Sequence, residues 1–224
     1  MSASMRILDI PKRPDPRLVA ELGTMVTPHL SDSMERLYAG GAQLRPMHKG
    51  GTLAGPAFTV KTAAGDNLLV HRAIDTARPG DVIVVDAGGA LDNAIIGELM
   101  SARARQRGVA GMVIWGAIRD SAEIAASPYP IFAAGVTHRG PYKNGPGEIN
   151  VPIVMGGVPV NPGDIIVGDA DGLVAIPQSI AERVLASAKS ILEKETASMK
   201  QIQAGTVDRS WVDKALKEKG YKIP

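Results

Sequence analysis

A chain of 224 residues with 45% apolar side chains can build one sizeable core, and its aromatic share of 4% means that Val, Ile, Leu, Ala and Met must fill it. A formal net charge of +2 gives no electrostatic case for nucleic acid or a membrane surface, and the absence of cysteine excludes disulfides and thiolate metal sites. No apolar run reaches the ~18 residues of a membrane-spanning helix, and the opening "MSASMRILDIPKRPDP" lacks the charged-then-apolar order of a signal peptide, so a soluble cytoplasmic protein is expected.

Residues 1–14 read as an arm, with Pro11 and Pro14 opposing regular structure. "DPRLVAELGTM" predicts a short helix with Asp15 as N-cap, Pro16 at N1 and Gly23 as its stop. "TPHLSDSMERLYAGG" repeats the device from Thr27 and Pro28 to Gly40-Gly41. "GTLAGPAFTVKT" (51–62) has strand composition broken by Pro56, and "DNLLVHRAIDTA" is a helix capped at Asp66. "RPGDVIVVDAGG" is a Pro-Gly turn feeding a strand. The next helix ends at Gln106 and starts somewhere between Asp92 and Gly97. "VAGMVIWGAIRD" is a buried strand, and "YPIFAAGV", "VPIVMGGVPV", "DIIVGD" and "GLVAIP" are short β segments. The tail holds a long helix from Gln178 to about Ala204 and a second in "DRSWVDKALKEKG". The elements predict a mixed α/β layered sandwich: an arm (1–14), one domain (15–177) and C-terminal helices (178–224) that pack on the domain or on a neighbouring subunit. "RPGDVIVVDAGG" and "NPGDIIVGDADG" echo each other, either as two similar turns or as two strands with equivalent places in the core.

Familiar catalytic patterns are missing. His29, His48, His71 and His138 show no zinc-binding spacing, no GxxxxGK[ST] or GxSxG occurs, and "DAGGALDNAIIGELM" lacks the glycine spacing of a dinucleotide fingerprint. What remains is the segment from Gly88 to Asp120. If a helix starts at Gly97, the amides of Leu99 and Met100 have no intrahelical partner and can hold a carboxylate, helped by the helix dipole. If it starts at Asp92, those amides are already bonded. Arg119 offers a planar cationic fork for a carboxylate or an enolate oxygen. Asp120 offers a hard oxygen for Mg²⁺ or Mn²⁺, ions that often take only one or two protein carboxylates. Adjacent residues in an extended chain face opposite ways, so the two need not neutralise each other. Glu98 and Glu123 are further carboxylates placed to reach the same spot. Read together these groups suit a small keto acid; the plainer reading is that Arg119 and Asp120 cap the helix in "SAEIAAS" or form surface pairs.

"GELMSARARQRGVAGMVIWGAIRD" together with "PVNPGDIIVGDADGLVAIP" resembles the RraA-like family, which joins regulators of ribonuclease activity to class II 4-hydroxy-4-methyl-2-oxoglutarate / 4-carboxy-4-hydroxy-2-oxoadipate aldolases. The resemblance runs from about Gly51 to Val184. It implies an αββα sandwich assembled as trimers or dimers of trimers, with active sites at subunit interfaces. It further implies that the backbone of Gly97, Glu98, Leu99 and Met100 holds the pyruvate carboxylate, that Arg119 binds the keto acid and stabilises its enolate, and that Asp120 anchors a divalent cation, Mg²⁺ or Mn²⁺. Many members have been called methyltransferases, a label without physical support in a chain that shows no nucleotide-binding turn.

Two positions depart from the aldolase pattern: Glu98 stands where an Asp is usual, and Trp115 where many relatives are acidic. Aldolases also draw a C-terminal acidic residue from a neighbouring subunit, and Glu195, on one helix face with Ile191 and Met199, is the candidate. The expected function is a metal-dependent lyase releasing pyruvate from 4-hydroxy-2-oxo (di)acids, with oxaloacetate decarboxylation through the same enolate. Glu98 and a water at the metal both stay open as the base for the 4-hydroxyl. The competing reading is a non-catalytic regulator that binds a ribonuclease or helicase. A third is an enzyme of the same fold for another hydroxy-oxo acid, its choice set by the loop "HRGPYKNGPGEI" (138–149).

Overall fold

The computed structural model describes residues 5–223, so residues 1–4 of the expected arm lie outside it. The described part of the arm is tied down. Leu8 donates to the Ile149 carbonyl at 3.2 Å, and the Arg13 guanidinium grips both oxygens of Asp81, a fully buried carboxylate. Helix α1 (Pro16–Leu22) starts as its sequence predicts, with the Asp15 side chain accepting the Arg17 N–H at 2.8 Å. Helix α2 (Thr27–Asp32) stops far short of the expected Gly40. Glu35 and Arg36 take left-handed φ angles of 54° and 63°, and the chain turns so that Gly40 N–H reaches the Leu173 carbonyl at 2.8 Å. Tertiary pairing here overrides a helical pattern.

Strands β1 (Arg45–Pro46), β2 (Leu53–Thr62), β3 (Val82–Asp86), β4 (Ala94–Ile96), β5 (Gly111–Ile118), β6 (Ile131–Val136), β7 (Gly147–Ile149), β10 (Ile165–Asp169) and β11 (Gly172–Ile176) form one nine-stranded sheet. Its main order is β1-β6-β5-β3-β2-β10-β11, with β4 on the end of β5 and β7 on β2. The strands β6, β5, β3 and β2 run parallel, while β1, β10 and β11 pair antiparallel. The "VPIVMGGVPV" segment makes a separate hairpin of β8 (Ile153–Met155) and β9 (Val158–Val160).

Side-chain alternation shows how the layers stack. Ile83 and Val85 of β3 belong to a core cluster with Val70, Ala73 and Ile74 of α3 (Leu68–Thr76), Ala104 of α4 (Glu98–Gln106) and Ile124 of α5 (Ser121–Ala126). Val82 and Val84 face the other way, into a cluster with Ile166 of β10, Ala175 of β11 and the β8–β9 hairpin. Ile165 and Val167, on the far face of β10, pack with Leu22 of α1, Leu30 of α2 and Val184 of α6 (Ala181–Gln203). Helices, one half of the folded-over sheet, its other half and helices therefore follow in order, the αββα sandwich.

The chain divides into two compact units, the first ending at Ala188 and the second beginning at Lys189. The boundary falls inside α6, because Ala181, Val184, Leu185 and Ala188 belong to the core of the first unit. The second unit holds the remainder of α6 and α7 (Ser210–Glu218), with Met199, Ile202 and Trp211 more than half exposed.

Candidate active site

Two chain reversals meet at one end of the parallel strands. Ile96 of β4 lies opposite Ile118 of β5, and the Arg119 N–H donates to the Ile96 carbonyl at 3.0 Å. Gly97 and Arg119 therefore leave the sheet side by side. Helix α4 begins here, with Gly97 as N-cap and its first intrahelical bond running from the Ser101 N–H to the Gly97 carbonyl at 3.1 Å. The amides of Glu98, Leu99 and Met100 precede that bond and have no helical acceptor. Asp120 Oδ2 accepts the Glu98 N–H at 3.0 Å, which leaves Leu99 and Met100 for an anion at the positive end of the helix.

Asp120 corrects one expectation. Strand β5 ends at Ile118, and Asp120 takes a left-handed conformation with φ 53° and ψ 43°. That turn brings its carboxylate to 3.8 Å from Arg119 Nε, so the pair share one side and partly balance each other. Left-handed backbone costs a non-glycine residue about 1 kcal/mol. Asp120 also stands at the N-cap position of α5 but makes no side-chain bond to that helix. The capping reading is thus not what the carboxylate does; it crosses instead to α4. Gly97 makes this crossing possible: a Cβ there would lie 2.3 Å from Asp120 Oδ2 and 3.0 Å from Arg119 Cγ. Its φ of −144° suits any residue, so the requirement for glycine is one of space.

A cavity of about 300 Å³ opens at this place and is lined by Gly97, Leu99, Met100, Arg119 and Asp120. It also takes in Asn67 and His71 from the start of α3 and Lys143 from the 138–149 loop. The Asn67 side-chain amide donates to the Ile95 carbonyl at 2.9 Å and to Met100 Sδ at 3.3 Å, while its buried Oδ1 accepts nothing among the described residues. His71 Nε2 is likewise buried, with no partner among the described residues. Burial, and then the nearby Lys143 charge, hold the His71 pKa below its ordinary value. Sequence reasoning missed Asn67 and His71 as site residues. The available signal was their spacing, four apart at a helix start and so on one face.

Glu98 and Glu123 are brought together, but along a neighbouring cavity of about 550 Å³ that also holds Arg105 and Tyr129. Glu98 lines this neighbouring cavity and not the one at Gly97, although its N–H donates to Asp120 Oδ2. Trp115 is a packing residue: it is half-buried against the second core cluster, and its indole lies so close to Gly89 that a Cβ there would meet it at 2.8 Å. Glu195 lies in the second unit on an exposed part of α6, with Met199 one turn on.

Among the described residues no three His, Asp or Glu side chains cluster as a metal cage. A magnesium-type ion needs no such cage, since it keeps several waters and one or two carboxylates suffice. Asp120 fits that demand, because among the described residues its Oδ1 accepts no hydrogen bond, and its side chain is 39% exposed at the cavity.

The family model described as "RraA-like: Aldolase/RraA" matches residues 27–175. The chain belongs to the RraA-like family. It is 40% identical over 199 residues to a protein of Halalkalibacterium halodurans named "Putative 4-hydroxy-4-methyl-2-oxoglutarate aldolase", covering 88% of this chain and 95% of that one. Among solved structures, an uncharacterized protein from Pseudomonas syringae superposes with a TM-score of 0.78 at 27% identity, over 88% of this chain and 96% of that one. The RNA-processing inhibitor RraA from Thermus thermophilus superposes with a TM-score of 0.62 at 34% identity, over 67% of this chain and 92% of that one. The RraA-like sandwich is therefore the shared scaffold.

Proposed function

We propose that this RraA-like protein is a divalent-metal-dependent lyase that cleaves 4-hydroxy-2-oxo diacids to release pyruvate, with oxaloacetate decarboxylation as an accompanying activity. The observation that carries the reading is the meeting of two free helix-start amides, a guanidinium and a carboxylate with an open oxygen in one cavity. The name of the Halalkalibacterium relative supports it.

In this reading the substrate carboxylate accepts hydrogen bonds from the Leu99 and Met100 amides, and Arg119 donates to the 2-oxo oxygen. Asp120 holds the cation, Mg²⁺ or Mn²⁺, which supplies Lewis-acid polarisation of the 2-oxo acid. When the C3–C4 bond breaks, the 4-hydroxyl loses its proton, the O–H pair left on oxygen becomes the new C4 carbonyl π bond, the C3–C4 pair becomes the C2=C3 bond of an enolate with its charge on the 2-oxo oxygen, and a proton returned to C3 gives pyruvate. Arg119 lies fixed beside that developing charge, which lowers the barrier without reorganisation. Glu98 is a candidate for the proton, with its side chain at the neighbouring cavity, and Glu123 and a neighbouring subunit's Glu195 are further site residues with no assigned step. Assembly as a trimer or dimer of trimers belongs to the same proposal.

Pyruvate release from 4-hydroxy-4-methyl-2-oxoglutarate and from oxaloacetate, followed by a lactate-dehydrogenase-coupled assay, tests the reading. Activity is expected with Mg²⁺ and is expected to vanish in EDTA; undiminished turnover in EDTA sinks the metal-dependent mechanism. The similarity to the Thermus RNA-processing inhibitor favours one other reading, a regulator without chemistry, and a pull-down with a ribonuclease or helicase as prey distinguishes it.

A further inference from the structure

The loop that closes the cavity opposite α4 is pinned by one buried carboxylate. Asp66 is 3% exposed, and its Oδ2 accepts the backbone N–H groups of Asn144 at 2.5 Å and Gly145 at 3.0 Å. Its Oδ1 accepts the Leu68 N–H at 2.9 Å, which ties the same side chain to the start of α3. The backbone on either side of Asp66 completes the clip, with Tyr142 N–H on the Gly65 carbonyl at 2.8 Å and Asn67 N–H on the Tyr142 carbonyl at 3.0 Å. On the loop's other flank, Asn93 Nδ2 donates to the Gly140 carbonyl at 2.6 Å and Ala94 N–H to the Arg139 carbonyl at 2.9 Å. Lys143 is thus held between two anchored neighbours. It forms no ion pair among the described residues, it lines the cavity, and its charge reaches His71. A buried carboxylate with three backbone donors is a demanding arrangement for an otherwise solvated loop, and its effect is to fix where one cation stands.

We propose that Asp66 is a positioning residue that holds Lys143 over the cavity as the anchor for the substrate's second carboxylate. This deepens the lyase reading and rests on its placement of the 2-oxo acid end at α4. A substrate held at Leu99, Met100 and Arg119 by that end has its far end in the same cavity, which is about 300 Å³ and shared with Lys143. Asn144 and Gly145 hold only backbone amides toward Asp66, so the loop's position depends on the acceptor and not on loop side chains. Asp66→Asn keeps the shape but replaces one acceptor oxygen by a donor, which sets the loop amides against an NH₂ group.

The test is calorimetric binding of 2-oxoglutarate and 2-oxobutanoate to the full chain in Mg²⁺, ligands with the same 2-oxo acid end that differ in the distal carboxylate. The wild type is expected to prefer 2-oxoglutarate by roughly fivefold, the scale of one partly exposed charge pair. Lys143→Ala and Asp66→Asn should each bring that ratio toward one, Lys143→Arg should retain it, and the double variant should fall no further than Lys143→Ala alone. Equal wild-type affinities, an unchanged ratio in Lys143→Ala, or an Asp66→Asn variant that weakens both ligands alike would overturn the proposal. Lys143→Ala, at an exposed position, keeps the test decisive even if Asp66→Asn does not fold. Binding selectivity without any pyruvate release would leave this inference standing and remove the lyase reading.

Discussion

At the scale of single residues, Gly97 and Asp120 depend on each other. Asp120 accepts a left-handed backbone so that its carboxylate can cross to the Glu98 amide, and it crosses through the space a Cβ at Gly97 would fill. Gly97→Ala should therefore weaken Mg²⁺ binding about tenfold or more, the usual cost of disturbing a ligand's orientation, as read by calorimetric titration. In the proposed mechanism Arg119→Ala removes the guanidinium that would face the enolate oxygen. Its expected loss is about 10²–10³-fold in kcat, with pyruvate release as the measurement. The third prediction concerns pH. His71 has a folded-state pKa below its ordinary value of 6.5, so the fold favours the neutral ring. Its contribution to stability is complete above that ordinary value and is lost as the pH falls through it toward the folded-state value. Urea midpoints between pH 7 and pH 5 should drop more steeply in the wild type than in His71→Gln; parallel slopes would show that the ring does not carry the effect. Arg119 and Asp120 were legible in the sequence because charged residues ending a buried strand stand out. Their shared side was not, since it hangs on one backbone torsion that no residue pattern announces.

Among elements, the echo between "RPGDVIVVDAGG" and "NPGDIIVGDADG" turns out to be structural. Their strands, β3 and β10, are the two main-path neighbours of β2, one parallel and one antiparallel. Each turn is closed by its own aspartate: Arg78 N–H donates to Asp81 Oδ2 and Asn161 N–H to Asp164 Oδ2, both at 2.8 Å. Asp86 and Asp169 then receive the N–H two residues on, at 3.0 and 2.9 Å. Asp81 carries a further duty as the buried acceptor of Arg13. Arg13→Ala strands that carboxylate and should cost about 3 kcal/mol in urea unfolding, with earlier proteolysis of the arm. Most strands were readable from their apolar runs and Pro-Gly punctuation. The expected long α2 was not borne out, because the pull came from pairing of Gly40 with distant Leu173, a contact with no local signature.

Across the whole molecule, family membership and αββα layering follow from motifs spread through the first unit, while the second unit offers mostly exposed side chains. Leu192, Met199, Ile202 and Trp211 are each over 40% exposed on a chain of 23.4 kDa, an apolar load suited to assembly. Light scattering is expected to give a mass of three or six chains, and a monomer at micromolar concentration would remove the assembly from the proposed function. The start of α4 has one more consequence. Backbone amides without an acceptor trade their protons with water quickly, so Leu99 and Met100 should lose their deuterium label fast in the free protein and slowly once a 2-oxo acid sits on them. Two adjacent amides thereby become an internal clock for occupancy, one that runs whether or not any bond in the ligand is broken.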